Sequence, residues 1–145
     1  MKIKVGVTIR VPPADLWNVI EPIENHVDWM VDAESIHFAD AQTRGIGTSF
    51  DCVTKVGPIR LTDRMTVTEW EPGKSMGIEH KGVVTGRGRF TLRRRPGGQT
   101  KFTWSEELTF PWWMGGPVGA IVAKPILRAI WGRNLRELKA IVEAG

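Results

Sequence analysis

The sequence predicts an α+β fold in which a strongly bent antiparallel sheet of about seven strands wraps around one long C-terminal helix, with two short helices after the first strand. Two patterns support this prediction. Apolar and polar residues alternate through most of the chain, which is typical of half-buried strands. From Val118 onward the apolar residues recur at helical spacing, which indicates a helix of roughly 27 residues and about 40 Å. The apolar stripe of that helix needs a concave apolar partner, which only the upstream strands can supply.

The composition is that of an ordinary globular protein. Hydrophobic residues make up 41% and charged residues 25% of the 145 positions, without a linker, repeat or low-complexity stretch. We therefore expect one domain over residues 1–145. No apolar run approaches the roughly 20 residues that cross a bilayer, and the start of the chain lacks the apolar core of a secretory signal. The single cysteine, Cys52, rules out an internal disulfide and favours a cytoplasmic, reducing setting.

The first 30 residues predict one strand and two short helices. Alternation over residues 2–10 indicates the strand, and Pro12 and Pro13 end it. Proline is tolerated in the first turn of a helix, so a short helix is expected to follow directly. Pro22 interrupts it, and a second short helical segment is expected at about residues 23–30. Helices this short are not stable alone and must pack on a sheet.

Alternation returns at residue 35 and continues to residue 110. Turn signals containing glycine or proline divide this region into six hairpin-linked strands, and the clearest lie at residues 45–47, 57–58, 71–74 and 95–98. The last strand ends at the loop 111–117, which contains two prolines and two glycines. Pro125 lies inside the helical pattern that follows and is expected to bend or interrupt the helix.

Three polar residues fall on apolar strand faces and are the candidates for chemistry. Alternation sets Asp63 beside Met65, His80 beside Ile78, and Glu106 beside Trp104. A carboxylate among apolar groups is costly unless it is paired, so these residues are candidates for recognising a ligand hydroxyl or carbonyl, or for acid/base catalysis. The alternative is a structural network with nearby arginines, or a bulge that shifts the alternation.

The loop at residues 111–117 carries two adjacent tryptophans, Trp112 and Trp113. Neighbouring side chains in an extended segment diverge, so both are difficult to bury together. One interpretation is that one of them packs on the core while the other covers the start of the helix. The other is a flexible lid at the mouth of a cavity, which would also allow transient membrane contact, since tryptophan is favoured at membrane interfaces.

The net charge of +4 comes with a local concentration of arginine. Arg87, Arg89 and Arg93 share one strand face, which is best interpreted as a solvated outer face or, alternatively, as a docking surface for anionic lipid or protein. No nucleic-acid-binding motif accompanies them, so no nucleic acid partner is expected. His26 and His37 stand at no metal-ligand spacing, so neither a metal nor a cofactor is expected, and Cys52 is interpreted as a small buried hydrophobe.

Several short segments resemble a known superfamily. They are the helix opening at residues 11–17, Asp28 and Trp29, the turn at residues 45–48, the strand end at residues 67–72 and the glycine-rich entry to the last helix. The chain resembles over essentially its whole length the START-like superfamily with the helix-grip fold, shared by the birch pollen allergen and by polyketide cyclase/dehydrase-like and lipid-transport proteins. That resemblance implies a hydrophobic cavity between sheet and helix, and binding of a lipid, isoprenoid or polyketide-like molecule.

Three functions follow as hypotheses. The first is binding of such a molecule, with Asp63, His80 and Glu106 as polar anchors. The predicted ligand-binding residues are Trp17, Met65, Ile78, His80, Trp104, Glu106, Trp112, Trp113, Ile121 and Trp131. The second is a polyketide cyclase/aromatase or dehydratase that uses the cavity's polar residues, Glu106 or His80, for acid/base chemistry, although the absence of a nucleophile–base pair favours a binding protein. The third is a protein-interaction module that uses the arginine face, which a filled core without a pocket would favour.

Overall fold

The computed structural model describes residues 1–145 as seven strands with helices at two points of the chain. The strands are β1 (Lys2–Ile9), β2 (Ala33–Phe38), β3 (Ser49–Val56), β4 (Ile59–Glu71), β5 (Ser75–Lys81), β6 (Thr85–Arg95) and β7 (Gln99–Thr109). The helices are α1 (Pro13–Ile20), a 3₁₀ helix (Ile23–Asp28), a 3₁₀ turn (Trp112–Met114) and α2 (Gly116–Ala144). The predicted α+β class, with two short helices after the first strand and one long C-terminal helix, is confirmed.

All seven strands form one antiparallel sheet in the order β1-β7-β6-β5-β4-β3-β2. From β2 to β7, strands that are consecutive in the sequence are neighbours in the sheet, as hairpin turns require. The first strand, β1, pairs with the last one, β7. The register of β4 against β5 shifts only between Val67 and Glu69. Alternation therefore holds from Asp63 to Val67, and it keeps Asp63, Met65 and Val67 on one face of the strand.

The helix α2 differs along its length in how it packs. Its C-terminal half buries Leu135, Leu138 and Val142, and the Lys139 ammonium donates a hydrogen bond to the Thr8 carbonyl oxygen at 2.7 Å. None of residues 117–130 is fully buried. The C-terminal half is therefore fixed to the sheet, while the N-terminal half spans the open side of its concave face.

The expectation that Pro125 interrupts the helix is wrong, because α2 runs through it from Gly116 to Ala144. Proline removes the N–H that would bond to the carbonyl of Ile121. Both residues lie on the exposed side of the helix, so the unpaired carbonyl is not buried without a partner. Where the chain enters α2, Gly115 has a φ of 90° and Gly116 a φ of 49°, a left-handed geometry that favours glycine.

Candidate functional site

A cavity of about 550 Å³ lies between the sheet and α2. Of the 34 residues that line it, 24 are hydrophobic, so its walls suit an apolar molecule. Its volume falls within the range of about 300–1,000 Å³ that is usual for small-molecule sites. A cavity of this size counts against the hypothesis of an interaction module with a filled core.

Most of the predicted site residues lie on the wall of this cavity. They are Met65, Ile78, His80, Trp104, Glu106 and Trp131, together with Asp63. Strand alternation places the six strand residues on one face, because β4, β5 and β7 all turn that face toward α2, and Trp131 faces them from α2. Four other predicted ligand-binding residues lie elsewhere.

Trp17 does not line the cavity. It is buried against Trp70, with ring centroids 5.3 Å apart in an edge-to-face arrangement, and its indole N–H donates to the Glu21 carboxylate at 3.1 Å. Apolar spacing in α1 predicts correctly that Trp17 is buried. It does not reveal which part of the core the helix covers.

Trp112, Trp113 and Ile121 are also absent from the cavity wall and are exposed by 86%, 60% and 73% respectively. Met114 and Gly115 of the same turn do line the cavity. These two residues belong to the wall, and the lid formed by Trp112 and Trp113 stays a prediction. In the first turns of α2, Ile121 faces solvent, whereas Val118 and Val122 are exposed and also line the cavity.

Glu106 and His80 form a buried hydrogen-bonded pair on the cavity wall. The imidazole Nε2 lies 2.9 Å from Oε2 of Glu106, and Oε1 of the same carboxylate accepts the indole N–H of Trp104 at 3.0 Å. The alternative of an arginine network does not apply to Glu106, whose partners are this histidine and this indole. Nδ1 of His80 makes no hydrogen bond within the protein and remains available to a ligand.

The surroundings of His80 act on its pKa in both directions. Burial lowers the pKa, but the hydrogen bond to Glu106 and the charges of Glu106 and Asp63 outweigh burial, so the pKa of His80 is raised above its ordinary value. The imidazole is therefore held in its protonated form to a higher pH than in water. As a cation, it offers an Nδ1–H donor to the cavity.

Asp63 lies on the same wall, with Oδ1 buried and without a hydrogen-bond partner. Burial raises the pKa of Asp63, against the opposing effects of the His80 charge and the backbone N–H of Val84. A buried oxygen without a partner is costly.

Two glycines make room for the two carboxylates. Gly88 is the partner of Glu106 across β6 and β7, and a Cβ atom at Gly88 would lie 2.6 Å from Cδ of Glu106. A Cβ atom at Gly82 would lie 2.5 Å from Oδ1 of Asp63. Both glycines are visible in the sequence as breaks in the alternation, but only the strand register reveals which side chain each one faces.

Sequence reasoning missed Asp32, which ties the cavity wall to α2. Its carboxylate accepts the indole N–H of Trp131 at 3.2 Å and the side-chain N–H of Asn134 at 2.7 Å. The Asn134 carbonyl oxygen in turn accepts the backbone N–H of Val31 at 3.0 Å. Trp131 stacks on Trp104 with ring centroids 4.8 Å apart, so this clamp also positions part of the cavity wall.

Two further titratable residues line the cavity in uncharged form. Burial lowers the pKa of His26 to about 4, and its Nε2 donates to the Ile20 carbonyl oxygen at 2.7 Å. Burial raises the pKa of Cys52 to about 11, so the thiol is a small buried hydrophobe as expected.

No group of three or more His, Cys, Asp and Glu side chains is arranged to hold a metal ion. Neither α-helix combines the length and apolar character of a membrane span.

Comparison with known proteins gives the chain a family and a fold. A family model described as polyketide cyclase / dehydrase and lipid transport matches residues 1–143. No curated protein matches the sequence.

Solved structures resemble the chain over nearly its whole length. A protein from Thermus thermophilus aligns with a TM-score of 0.82 and 14% identity over 99% of this chain and 98% of its own. A START superfamily protein from Mycobacterium smegmatis aligns with a TM-score of 0.78 and 10% identity over 99% and 97%. The Zhui aromatase/cyclase from a Streptomyces species aligns with a TM-score of 0.75 and 14% identity over 99% and 93%. At these identities the likeness establishes the fold alone, and it is the predicted helix-grip fold.

Proposed function

We propose that this chain, which belongs to the polyketide cyclase / dehydrase and lipid transport family, binds one small hydrophobic molecule in the cavity between its sheet and α2. The observation that carries the proposal is the cavity itself, which combines apolar walls with a few polar groups at one place. The ligand class is a lipid, an isoprenoid or a polyketide-like molecule.

The polar groups define what the ligand must carry. The protonated imidazole of His80 donates from Nδ1 to a ligand carbonyl or hydroxyl oxygen. The Asp63 carboxylate, which also lines the cavity, accepts a hydroxyl of the ligand. We therefore expect an apolar body with at least one oxygen near one end, held in one orientation by these neighbouring polar groups.

The direct test is native mass spectrometry of the purified protein, followed by denaturing extraction and identification of any released molecule. A panel of a long-chain fatty acid, an isoprenoid alcohol and a fused-ring aromatic polyketide is then titrated, with thermal shift and tryptophan fluorescence as readouts. We expect one class to bind in a one-to-one ratio. An empty protein with no response to any member of the panel would contradict the proposal.

A cavity-filling variant sharpens this test. Met65→Trp adds bulk to the cavity wall and should abolish binding, while Thr62→Trp makes the same addition on the exposed face of the same strand and should leave binding unchanged. Equal loss in both variants would mean that the effect comes from the strand and not from the cavity.

The buried pair of His80 and Glu106 supports a second candidate, a cyclase/aromatase or dehydratase acting on a polyketide. A dehydration needs a base that takes a proton next to a carbonyl and an acid that protonates the departing hydroxyl. A neutral His80, oriented by Glu106, suits the first role, and the raised pKa of Asp63 suits the second. The walls would hold the chain in the reactive conformation.

Turnover of a β-hydroxy polyketide mimic distinguishes the two candidates. An enzyme loses turnover in His80→Ala and Glu106→Gln while it still binds the mimic. A binding protein gives no product with any variant, and only the affinity changes.

A further inference from the structure

The segment from Trp112 to Arg128, which we call the docking segment, is both apolar and basic on its exposed surface. We propose that it docks the protein on the surface of an anionic membrane, with the opening of the cavity facing the lipid. That a lipid-like ligand enters the cavity there rests on the proposed function, whereas docking itself does not.

Much of the apolar surface of the docking segment faces solvent. Trp112, Trp113 and Ile121 are mostly exposed and do not line the cavity. Val118 and Val122 are exposed and also line the cavity, so they mark its opening. Exposed tryptophan and aliphatic side chains grouped in this way are typical of helices that lie in a membrane interface.

The docking segment carries two basic side chains, Lys124 and Arg128, and no acidic one, and the residues on both sides of it extend this pattern. Residues 108–136 contain four basic side chains and no acidic one, and the four are Lys124, Arg128, Arg133 and Arg136. All four are exposed, and none takes part in an ion pair. The whole chain has 20 basic and 16 acidic side chains, so the rest of it is balanced and the entire net charge of +4 lies here.

This combination fits an anionic membrane better than it fits an acidic protein. A membrane interface accepts tryptophan and aliphatic side chains while its anionic headgroups attract the cations. The docking segment also stands on a fixed support. Downstream of it, Asn134 is held by Asp32, and Glu143 accepts hydrogen bonds from Arg10 and Lys139. The helix that carries the segment is thus anchored to the protein downstream of it.

The test is sedimentation of the full chain with vesicles of phosphatidylcholine plus phosphatidylserine, compared with vesicles of phosphatidylcholine alone. Partitioning should require phosphatidylserine and should fall with added salt. Lys124→Gln with Arg128→Gln should weaken partitioning about 30-fold, since each cation near an anionic surface contributes about 1 kcal/mol. Arg93→Gln with Arg94→Gln removes the same charge from the opposite end of the molecule and should change it by no more than about twofold.

The apolar contribution has its own matched pair. Ile121→Ser should weaken vesicle binding, whereas Ile46→Ser, at a residue of comparable exposure in the turn before β3, should not. In the wild type, brominated acyl chains should quench tryptophan fluorescence, and Trp112→Ala with Trp113→Ala should remove most of that quenching.

Three outcomes would overturn the proposal: no binding to anionic vesicles, equal loss in the control variants, or a dimer that Ile121→Ser disrupts in the absence of vesicle binding. Binding of an acidic protein without vesicle binding would overturn it as well. Titration of the hydrophobic panel in the same variants separates the two proposals. If the protein binds the ligand but not the vesicles, only the docking proposal is contradicted. If it binds the vesicles but not the ligand, only the proposed cavity function is contradicted.

Discussion

Replacing Glu106 with Gln should reverse the sign of the pKa shift at His80. In the wild type, burial is the largest influence on the pKa of His80 and lowers it, and the hydrogen bond and charge of Glu106 overcome that effect with the help of Asp63. Glutamine keeps the size of the side chain and removes its charge. Burial then prevails over the remaining charge of Asp63, so the pKa of His80 should fall from above its ordinary value to below it.

The same substitution should lower the free energy of unfolding near neutral pH by about 2–3 kcal/mol. Glu106 accepts two buried hydrogen bonds, one from His80 at 2.9 Å and one from Trp104 at 3.0 Å. A hydrogen bond to a charged group contributes about 1.5–3 kcal/mol, and the glutamine amide retains only one acceptor oxygen for two donors.

The pH dependence of stability should change with it. A group whose pKa is raised by folding adds stability below its unfolded pKa of 6.5, and that stability is lost as the pH rises through the folded pKa. In Glu106→Gln the folded pKa lies below 6.5, so the contribution of His80 should instead be lost as the pH falls.

The assay is an NMR titration of the His80 ring protons together with urea denaturation at several pH values. Glu107→Gln is the control, because Glu107 is the next residue on the strand and lies exposed on its other face. It should change the free energy of unfolding by less than about 0.5 kcal/mol. A His80 pKa that stays above its ordinary value of 6.5 in Glu106→Gln would refute the claim that Glu106 holds the proton on the imidazole.

Three further predictions concern the surroundings of the site. His26 should remain neutral in NMR titration down to about pH 4. Its contribution to stability should fall by about 3 kcal/mol as the pH drops from 6.5 to 4, because His26 takes up a proton at a higher pH in the unfolded chain than in the folded one. Gly88→Ala should displace the Glu106 carboxylate and lower the free energy of unfolding, measured in urea, by about 1–3 kcal/mol. Gly132→Ala is the control. Its Cβ atom would meet only one arginine nitrogen at 3.8 Å, so it should stabilise α2 by about 0.5–1 kcal/mol. Asn134→Ala removes two part-buried hydrogen bonds, one of them to the Asp32 carboxylate, and should cost about 2–4 kcal/mol, with faster amide exchange in α2 as the local readout.

Several features of the site are local and were predicted from the sequence. A strand alternates its side chains whatever it packs against, so the side-chain spacing alone sets Asp63 with Met65 and Glu106 with Trp104 on common faces. The change of period after residue 117 likewise predicts α2, because helical spacing is a property of the helix itself.

Only the tertiary structure shows which face of one helix or strand packs against which face of another. Trp17 and Trp104 are both buried aromatic residues on amphipathic elements, yet only Trp104 lines the cavity, since α1 covers a different part of the core. The clamp between Asp32 and Asn134 joins residues 102 positions apart, and the pairing of Gly88 with Glu106 depends on the register of two strands.

Within the single helix α2, one property follows from the sequence and another only from the tertiary structure. Its apolar spacing predicts burial, and residues 131–142 of α2 follow that prediction because β1 lies beneath them. Residues 117–130 carry the same pattern over an open cavity, and most of their large apolar side chains remain exposed. Apolar periodicity determines that a helix has an apolar face, but only the position of the sheet decides whether protein covers that face.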